Sequence, residues 1–289
     1  MILVIGGSSK IGSAAIAELR ARGEQVRALA RDKEATAPLQ ELGAGIAVGD
    51  LADPASLEAA MTGVAGVFLL SSPHPDDVSW HTNAIDAAAK AGVSQLVRSS
   101  ILGADPSSPT TFVRHHGEVD AYLQQAGLNY AILRPNYFQQ NIIESVVPSI
   151  DAEGRFFVSA GQSRISMTDT RDVGAAAAIL VSGAGRATGG PIYDLTGPAA
   201  LSHDDVAEKL SARLDRPLHY VDAPLEATAA TLRGYGLGDW MVTGLVELYQ
   251  DYQRSGRDGY AAKVTDQVEA ITGHPARSLD ALIDESLPR

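Results

Sequence analysis

The amino-acid sequence predicts a doubly wound α/β fold built on a parallel sheet, and three observations carry that prediction. Short runs of β-branched and apolar residues alternate with alanine-rich, helix-like stretches throughout the first half of the chain. Those runs are nearly continuous in apolar residues rather than alternating, as strands buried on both faces require. The first of them leads straight into a glycine-rich turn and then a helix.

The strand-like runs fall at residues 4–5, 26–29, 45–48, 67–70, 95–98 and 130–133. The helices between them have recognisable ends. Asp53-Pro54 supplies an N-cap followed by proline at the first helical position, and Gly23, Gly92 and Gly127 stand where helices stop. Beyond Pro135 the rhythm changes. Strand-like pieces at 156–158, 165–167, 192–195 and 219–221 mix with helical stretches at 204–214, 226–233 and 240–254. The expected organisation is a nucleotide-binding unit over residues 1–135 and a smaller C-terminal α/β lobe over 136–289, whose chain crosses back to the sheet. The run 173–181 reads as a buried helix capped by Asp169 or Thr170, with Asp169 and Asp172 structural rather than catalytic.

Composition excludes several functions. The 289 residues include no cysteine, so a disulfide-stapled domain, a cysteine-ligated metal centre and a thiol nucleophile are ruled out. Thirty-five acidic against 23 basic residues leave a formal charge of −12, which repels a phosphate backbone and argues against direct nucleic-acid contact. No segment approaches the roughly 20 apolar residues needed to span a bilayer. No basic region precedes the apolar start Met1-Ile2-Leu3-Val4-Ile5, so no signal peptide is expected and the predicted setting is the cytoplasm. The histidines lack metal-ligand spacing, and no metal is expected.

The strongest local signal is Gly6-Gly7-Ser8-Ser9-Lys10-Ile11-Gly12, placed between a strand and a helix. A dinucleotide pyrophosphate needs backbone N–H groups at a helix N-terminus and a chain bare enough to approach. Gly6 suits the sharp turn and Gly12 the close packing of helix on strand. Ser8 and Ser9 add hydroxyl donors and Lys10 adds positive charge. At the end of the second strand stand Arg31 and Asp32. An arginine there grips a 2′-phosphate and favours NADP(H); an aspartate accepts from a free 2′-hydroxyl and favours NAD. Arg31 comes first, so NADP(H) is the expected cofactor. Asp50 and Leu51 close the third strand near the expected adenine. Ser71, Ser72 and Pro73 follow the fourth strand, and Ser99 and Ser100 end the fifth, on the edge that faces a ligand crevice. Each of these reads equally well as a turn or cap residue.

With these residues in place, the chain resembles the NmrA-like atypical branch of the short-chain dehydrogenase/reductase superfamily, over essentially its whole length. Residues 26–31 look like the family's second strand with its phosphate-reading arginine. His116-Gly117-Glu118-Val119-Asp120 and Leu133-Arg134-Pro135-Asn136-Tyr137-Phe138-Gln139-Gln140-Asn141 resemble two further family segments. The resemblance implies a Rossmann-type fold and an NADPH-dependent reductase of quinones, azo compounds or dyes. The alternative it implies is a non-catalytic, NAD(P)-binding redox sensor. Two departures stand out. Ser9 occupies the middle position of the family's GxxGxxG, and no tyrosine is followed by lysine in the superfamily's Tyr-x-x-x-Lys spacing.

Without that tyrosine, an acceptor that barely needs a proton donor is favoured. Hydride addition to a quinone gives a stabilised phenolate-type anion that water protonates, so catalysis is mostly the positioning of one ring against another. The expected partner is therefore a small aromatic electrophile, with the protein a monomer or homodimer. His116 is the candidate acid or anchor, with Asp120 one turn on to orient it or raise its pKa. A core-edge histidine satisfied by Asp120 is the competing reading. Asn136, Tyr137 and Phe138 are placed to line the nicotinamide and acceptor crevice, where the two rings stack on a flat partner. The helix carrying Trp240, Met241, Tyr249 and Tyr252 reads as core, interface or pocket cap.

Overall fold

A computed structural model of the chain describes residues 1–31, 36–182 and 190–288. The strands are β1 (Ile2–Ile5), β2 (Val26–Ala30), β3 (Gly45–Val48), β4 (Gly66–Leu69), β5 (Gln95–Ser99), β6 (Tyr130–Pro135), β7 (Arg155–Val158), β8 (Ile192–Leu195) and β9 (His219–Asp222). Seven of them form one all-parallel sheet in the order β3-β2-β1-β4-β5-β6-β8, and β7 pairs with β9 in a separate parallel ribbon. The chain runs outward from β1 to β3, then returns to the other side of β1 with β4. The crevice at the carboxyl ends of β1 and β4 is thus a topological switch point, where doubly wound sheets take ligands.

The helices are α1 (Lys10–Ala21), α2 (Ala37–Glu41), α3 (Pro54–Ala60), α4 (Asp77–Lys90), α5 (Thr111–Gln125), α6 (Thr170–Val181), α7 (His203–Leu214), α8 (Leu225–Gly234), α9 (Asp239–Ser255), α10 (Gln267–Thr272) and α11 (Leu279–Ser286). Every residue of β1, β4 and β5 is buried, which explains the uninterrupted apolar runs of β1 and β4. One face of the sheet packs Ile16 and Leu19 of α1 with Val173 and Ala177 of α6. The other packs Leu57 of α3, Ile85 of α4 and Leu123 of α5. A third core, including Phe156, Val206, Leu210, Tyr252 and Ile283, fills the lobe. Among the described residues no helix is long and apolar enough to cross a membrane.

The small residues of α6 have a specific use. A Cβ on Gly174 would lie 2.7 Å from Ala14 Cβ and 2.8 Å from the Ala15 nitrogen, so α1 and α6 meet at backbone contact. The expected helix stops hold, with Gly23, Gly92 and Gly127 at φ of +79°, +69° and +71°. The expected strand at 165–167 does not form. Ile165 makes only an isolated antiparallel bridge with Leu201, and the Ser166 N–H donates to Ala261 while its carbonyl accepts from Gly197. Its backbone groups serve three separate segments, so no single neighbour can build a ladder.

Helix α6 starts at Asp169, whose fully buried carboxylate accepts from the Arg171 backbone N–H at 2.8 Å and from Gln140 Nε2 at 2.9 Å. Replacing Asp169 by alanine strands both donors. Urea denaturation of Asp169→Ala should show a loss of about 2 kcal/mol.

Candidate active site

The glycine loop leaves the carboxyl end of β1 and becomes α1 at the switch point. Two glycines there are dictated by geometry. Gly6 has φ +80°, and a Cβ on it would lie 2.5 Å from the Leu70 carbonyl oxygen; a Cβ on Gly12 would lie 2.2 Å from the Gly6 oxygen. Ser9 locks this turn. Its hydroxyl donates to the Gly6 carbonyl at 2.8 Å and accepts from the Gly12 N–H at 3.0 Å, and its own N–H donates to Gly6. The serine that departs from the glycine pattern is therefore the N-cap of α1, and its donors are not open to a ligand as expected. Lys10 also differs from expectation: its ammonium pairs at 2.6 Å with Glu144, on the π-helical turn Ile142–Val146. What stays open is the Ser8 hydroxyl and the N–H groups of Lys10 and Ile11, which find no acceptor among the described residues. These face outward at the positive end of the α1 dipole.

Gly6, Ser8, Arg31, Asp50, Leu51, Ser71, Ser72 and Pro73 line one cavity of about 400 Å³. The structure thus brings the expected nucleotide residues together. Arg31 is exposed and has no hydrogen-bond or ion-pair partner among the described residues. One Asp50 oxygen accepts from the Ala52 N–H at 2.8 Å, leaving the other unused. Asp32, the alternative ribose ligand, lies outside the described residues. Two residues on the cavity wall escaped the sequence reading: His74 and Trp80 stack at 4.0 Å with planes 15° apart. The available signal was a tryptophan in the first turn of the helix that follows Pro73-His74-Pro75.

Behind the ends of β4, β5 and β6 lies a buried polar network. Arg98, only 1% exposed, is ion-paired with Asp120. Asp120 also accepts from Ser100 Oγ at 2.9 Å and from Arg134 Nε and Nη2 at 3.1 and 2.9 Å. This corrects the expected role of Asp120, which holds arginines and a serine rather than the His116 imidazole. His116 Nδ1 instead accepts from Arg98 Nη2 at 3.0 Å. A guanidinium only donates, so the His116 proton sits on Nε2. By the same logic His81, whose Nδ1 lies 3.4 Å from Arg98 Nη2, donates from Nε2 to Ser71 Oγ at 3.0 Å. Burial, and then the Arg98 charge, hold both imidazoles well below the ordinary 6.5. The pKa of His116 is therefore lowered, not raised, and His116 lines neither the nucleotide cavity nor the lobe cavity described next. Ser99 is buried at the end of β5, its hydroxyl unbonded among the described residues.

A second cavity, of about 600 Å³, opens in the lobe between the π-helical turn, β7, β9, α8 and α9. Tyr137, Val146, Phe157, Leu232, Tyr235 and Tyr249 give it aromatic and aliphatic walls. Burial, then the adjacent Tyr249 phenol, push the Tyr137 hydroxyl well above 10, so it stays a protonated donor. Its two neighbours in sequence do not join it. Asn136 Nδ2 donates to Ser166 Oγ at 2.9 Å and the Ala261 carbonyl at 2.7 Å, while Oδ1 accepts from the Tyr137 N–H at 2.8 Å. With its amide engaged inside the protein, Asn136 ties down the turn instead of lining the crevice. Phe138 is half-buried against the main core. Trp240 packs on Phe112 and His115 with ring centroids 5.4 and 5.7 Å away, docking α9 on α5. Phe157 and Tyr235 were missed, since a single exposed ring on a strand or helix carries no periodic signal.

Three histidines have lowered pKa values: the buried His81 and His203 and the half-buried His116, that of His203 pushed by burial down to about 4. A histidine kept neutral in the fold but titrating near 6.5 when unfolded lets the unfolded chain bind extra protons in acid. Stability is thus fully present above pH ~6.5 and declines as pH falls from there toward about 4. Urea denaturation across that range should show the decline, and replacing His203 by phenylalanine should flatten it.

The NmrA-like family profile matches residues 1–280. The NAD(P)H azoreductase of Xenophilus azovorans is 35% identical over 278 residues, which span 96% of this chain and 95% of that protein. Quinone oxidoreductase 2 of Escherichia coli (strain K12) is 28% identical over 282 residues, covering 96% of each. An E. coli NADPH-dependent quinone oxidoreductase, solved in complex with NADPH, matches with a TM-score of 0.85 at 26% identity and covers 99% of both chains. With the profile spanning nearly every element of the sheet and the lobe, this chain belongs to the NmrA-like family.

Proposed function

We propose that this chain is an NADPH-dependent oxidoreductase that delivers a hydride to a flat, delocalised acceptor of the quinone, azo or dye type. The observation that carries this reading is a guanidinium without a partner among the described residues, Arg31, sharing one cavity with Gly6 and Ser8 of the loop that opens α1. The relatives named NAD(P)H azoreductase and quinone oxidoreductase support it.

The residues present fit a dinucleotide. The Gly6–Gly12 approach bares the backbone, and the Lys10 and Ile11 N–H groups with the Ser8 hydroxyl are free for a pyrophosphate. Among the described residues Arg31 has no partner and one Asp50 oxygen is unused, which suits a 2′-phosphate and, with the His74–Trp80 pair, the adenosine. Ser71, Ser72 and Pro73 form the inner wall of the same cavity. Bound there, NADPH supplies a hydride.

Tyr137 and Tyr249 hold the acceptor ring in the lobe cavity, and the Tyr137 hydroxyl, kept protonated, donates a hydrogen bond to oxygen as charge builds there. A quinone that has gained a hydride is a hydroquinone anion and takes its last proton from water. An azo group takes hydride and proton to become a hydrazine. Neither needs an imidazolium, which suits a neutral His116 acting as part of the support behind the strands. The Lys10–Glu144 pair ties the start of α1 to the turn whose Ser145 and Val146, next to Glu144, line the lobe cavity. A cavity of this size and aromatic character, so linked to the nucleotide cradle, favours an enzyme over a nucleotide-reporting regulator.

Calorimetric titration should show Arg31→Ala binding NADPH about 10- to 100-fold more weakly, the cost of one or two charge-assisted bonds, with NADH affinity unchanged. Absorbance of NADPH should fall when the wild type meets a panel of quinones and azo dyes. Tight binding with no oxidation on any of them identifies a sensor instead.

A further inference from the structure

We propose that Asp222 selects acceptors by charge, so that this site takes neutral and cationic aromatics and disfavours sulfonated or carboxylated ones. The inference rests on the reading of the lobe cavity as the acceptor site and adds a specificity-determining residue to it.

Asp222 ends β9 and is the only charged residue among the described residues that line the cavity; no described lysine, arginine or histidine lines it. The carboxylate is held in place. One oxygen accepts from the Gly161 N–H at 2.9 Å and from the Tyr220 hydroxyl at 3.0 Å. No cation pairs with it among the described residues. Arg164, on the loop after β7, pairs with Asp205. Arg155 lies 5.7 Å from the ring centre of the wall residue Phe157, but it is matched by Asp151 and Glu153. The nearby His203 is buried and neutral. An anchored, unneutralised carboxylate therefore sets the sign of the potential at an otherwise uncharged aromatic cavity, and the chain's net charge of −12 has the same sign.

A charge on a substituent away from the reacting ring persists through hydride transfer. Asp222 then acts equally on the bound acceptor and the transition state, and its effect falls on KM rather than kcat. Asp222 is exposed, so solvent and salt screen it and the discrimination it supplies is about fivefold.

The test uses naphthoquinones carrying a quaternary ammonium, no charge or a sulfonate, with NADPH, in the wild type, Asp222→Asn and Thr231→Lys. Asparagine keeps the two acceptor bonds, and the lysine adds a positive charge on the cavity wall. At low salt the wild-type kcat/KM should favour the ammonium compound over the sulfonate. That ratio should fall about fivefold in Asp222→Asn through KM, and further in Thr231→Lys. Dissociation constants from quenching of tyrosine fluorescence should show the same ratios without turnover. Equal ratios in the wild type and Asp222→Asn, or a wild-type preference for the sulfonate, overturn the role of Asp222. If Asp222→Asn does not fold, an unchanged ratio in Thr231→Lys does so. A wild type that binds these quinones but oxidises no NADPH overturns the proposed function instead, while the binding ratios still decide on Asp222.

Discussion

Much of the molecule's polar architecture is organised around one buried charge, the guanidinium of Arg98 in the interior strand β5. Such a charge is tolerated only when paired and hydrogen-bonded, and removing one partner of a buried pair costs about 3–5 kcal/mol. Asp120 supplies the countercharge, and Arg134 and Ser100 saturate the carboxylate. The arginine's Nη2 is spent on His81 and His116, which fixes the tautomer of each ring, while its buried Nε has no hydrogen-bond partner among the described residues. Through His81 the constraint reaches Ser71 on the wall of the nucleotide cavity. Order at the ligand crevice is thus imposed from behind, by groups that no ligand touches.

A second set of polar side chains joins the lobe to the sheet. The stretch after β6 looks in sequence like a row of ligands, yet most of it is a junction. Asn136 reaches Ser166 and Ala261; Gln139 donates to the carbonyls of Met167 and Arg277; Gln140 bonds Asp169 and the Thr170 N–H. Only Tyr137 lines the lobe cavity. A polar segment so buried must satisfy its own groups, and doing so welds three distant parts of the chain to the end of β6.

The fold was legible because its determinants are local. Continuous apolar runs mark strands buried on both faces, and glycines at 23, 92 and 127 mark helix ends through their positive φ. The glycine turn of the candidate site was legible for a related reason, since Gly6 and Gly12 answer to close backbone approach. What could not be read was the spending of side chains. Ser9 looked like a ligand donor and is a cap; Lys10 looked like a phosphate contact and meets Glu144, distant in sequence; Asp120 looked like the partner of His116 and belongs to Arg98. Each depends on a tertiary neighbour that a one-dimensional pattern does not name. The failed strand at 165–167 has the same origin, because its β-propensity was outbid by three separate tertiary partners.

The contact of Gly174 with Ala14 and Ala15 has a wider meaning. Helix α1 begins at the glycine loop, and α6 begins at Asp169, which Gln140 grips from the turn that also presents Tyr137. Because the two helices touch main chain to main chain, no compliant rotamers lie between them to absorb a shift. The spacing between the two halves of the crevice is consequently a property of the backbone. Surface residues of the lobe can change without disturbing that spacing.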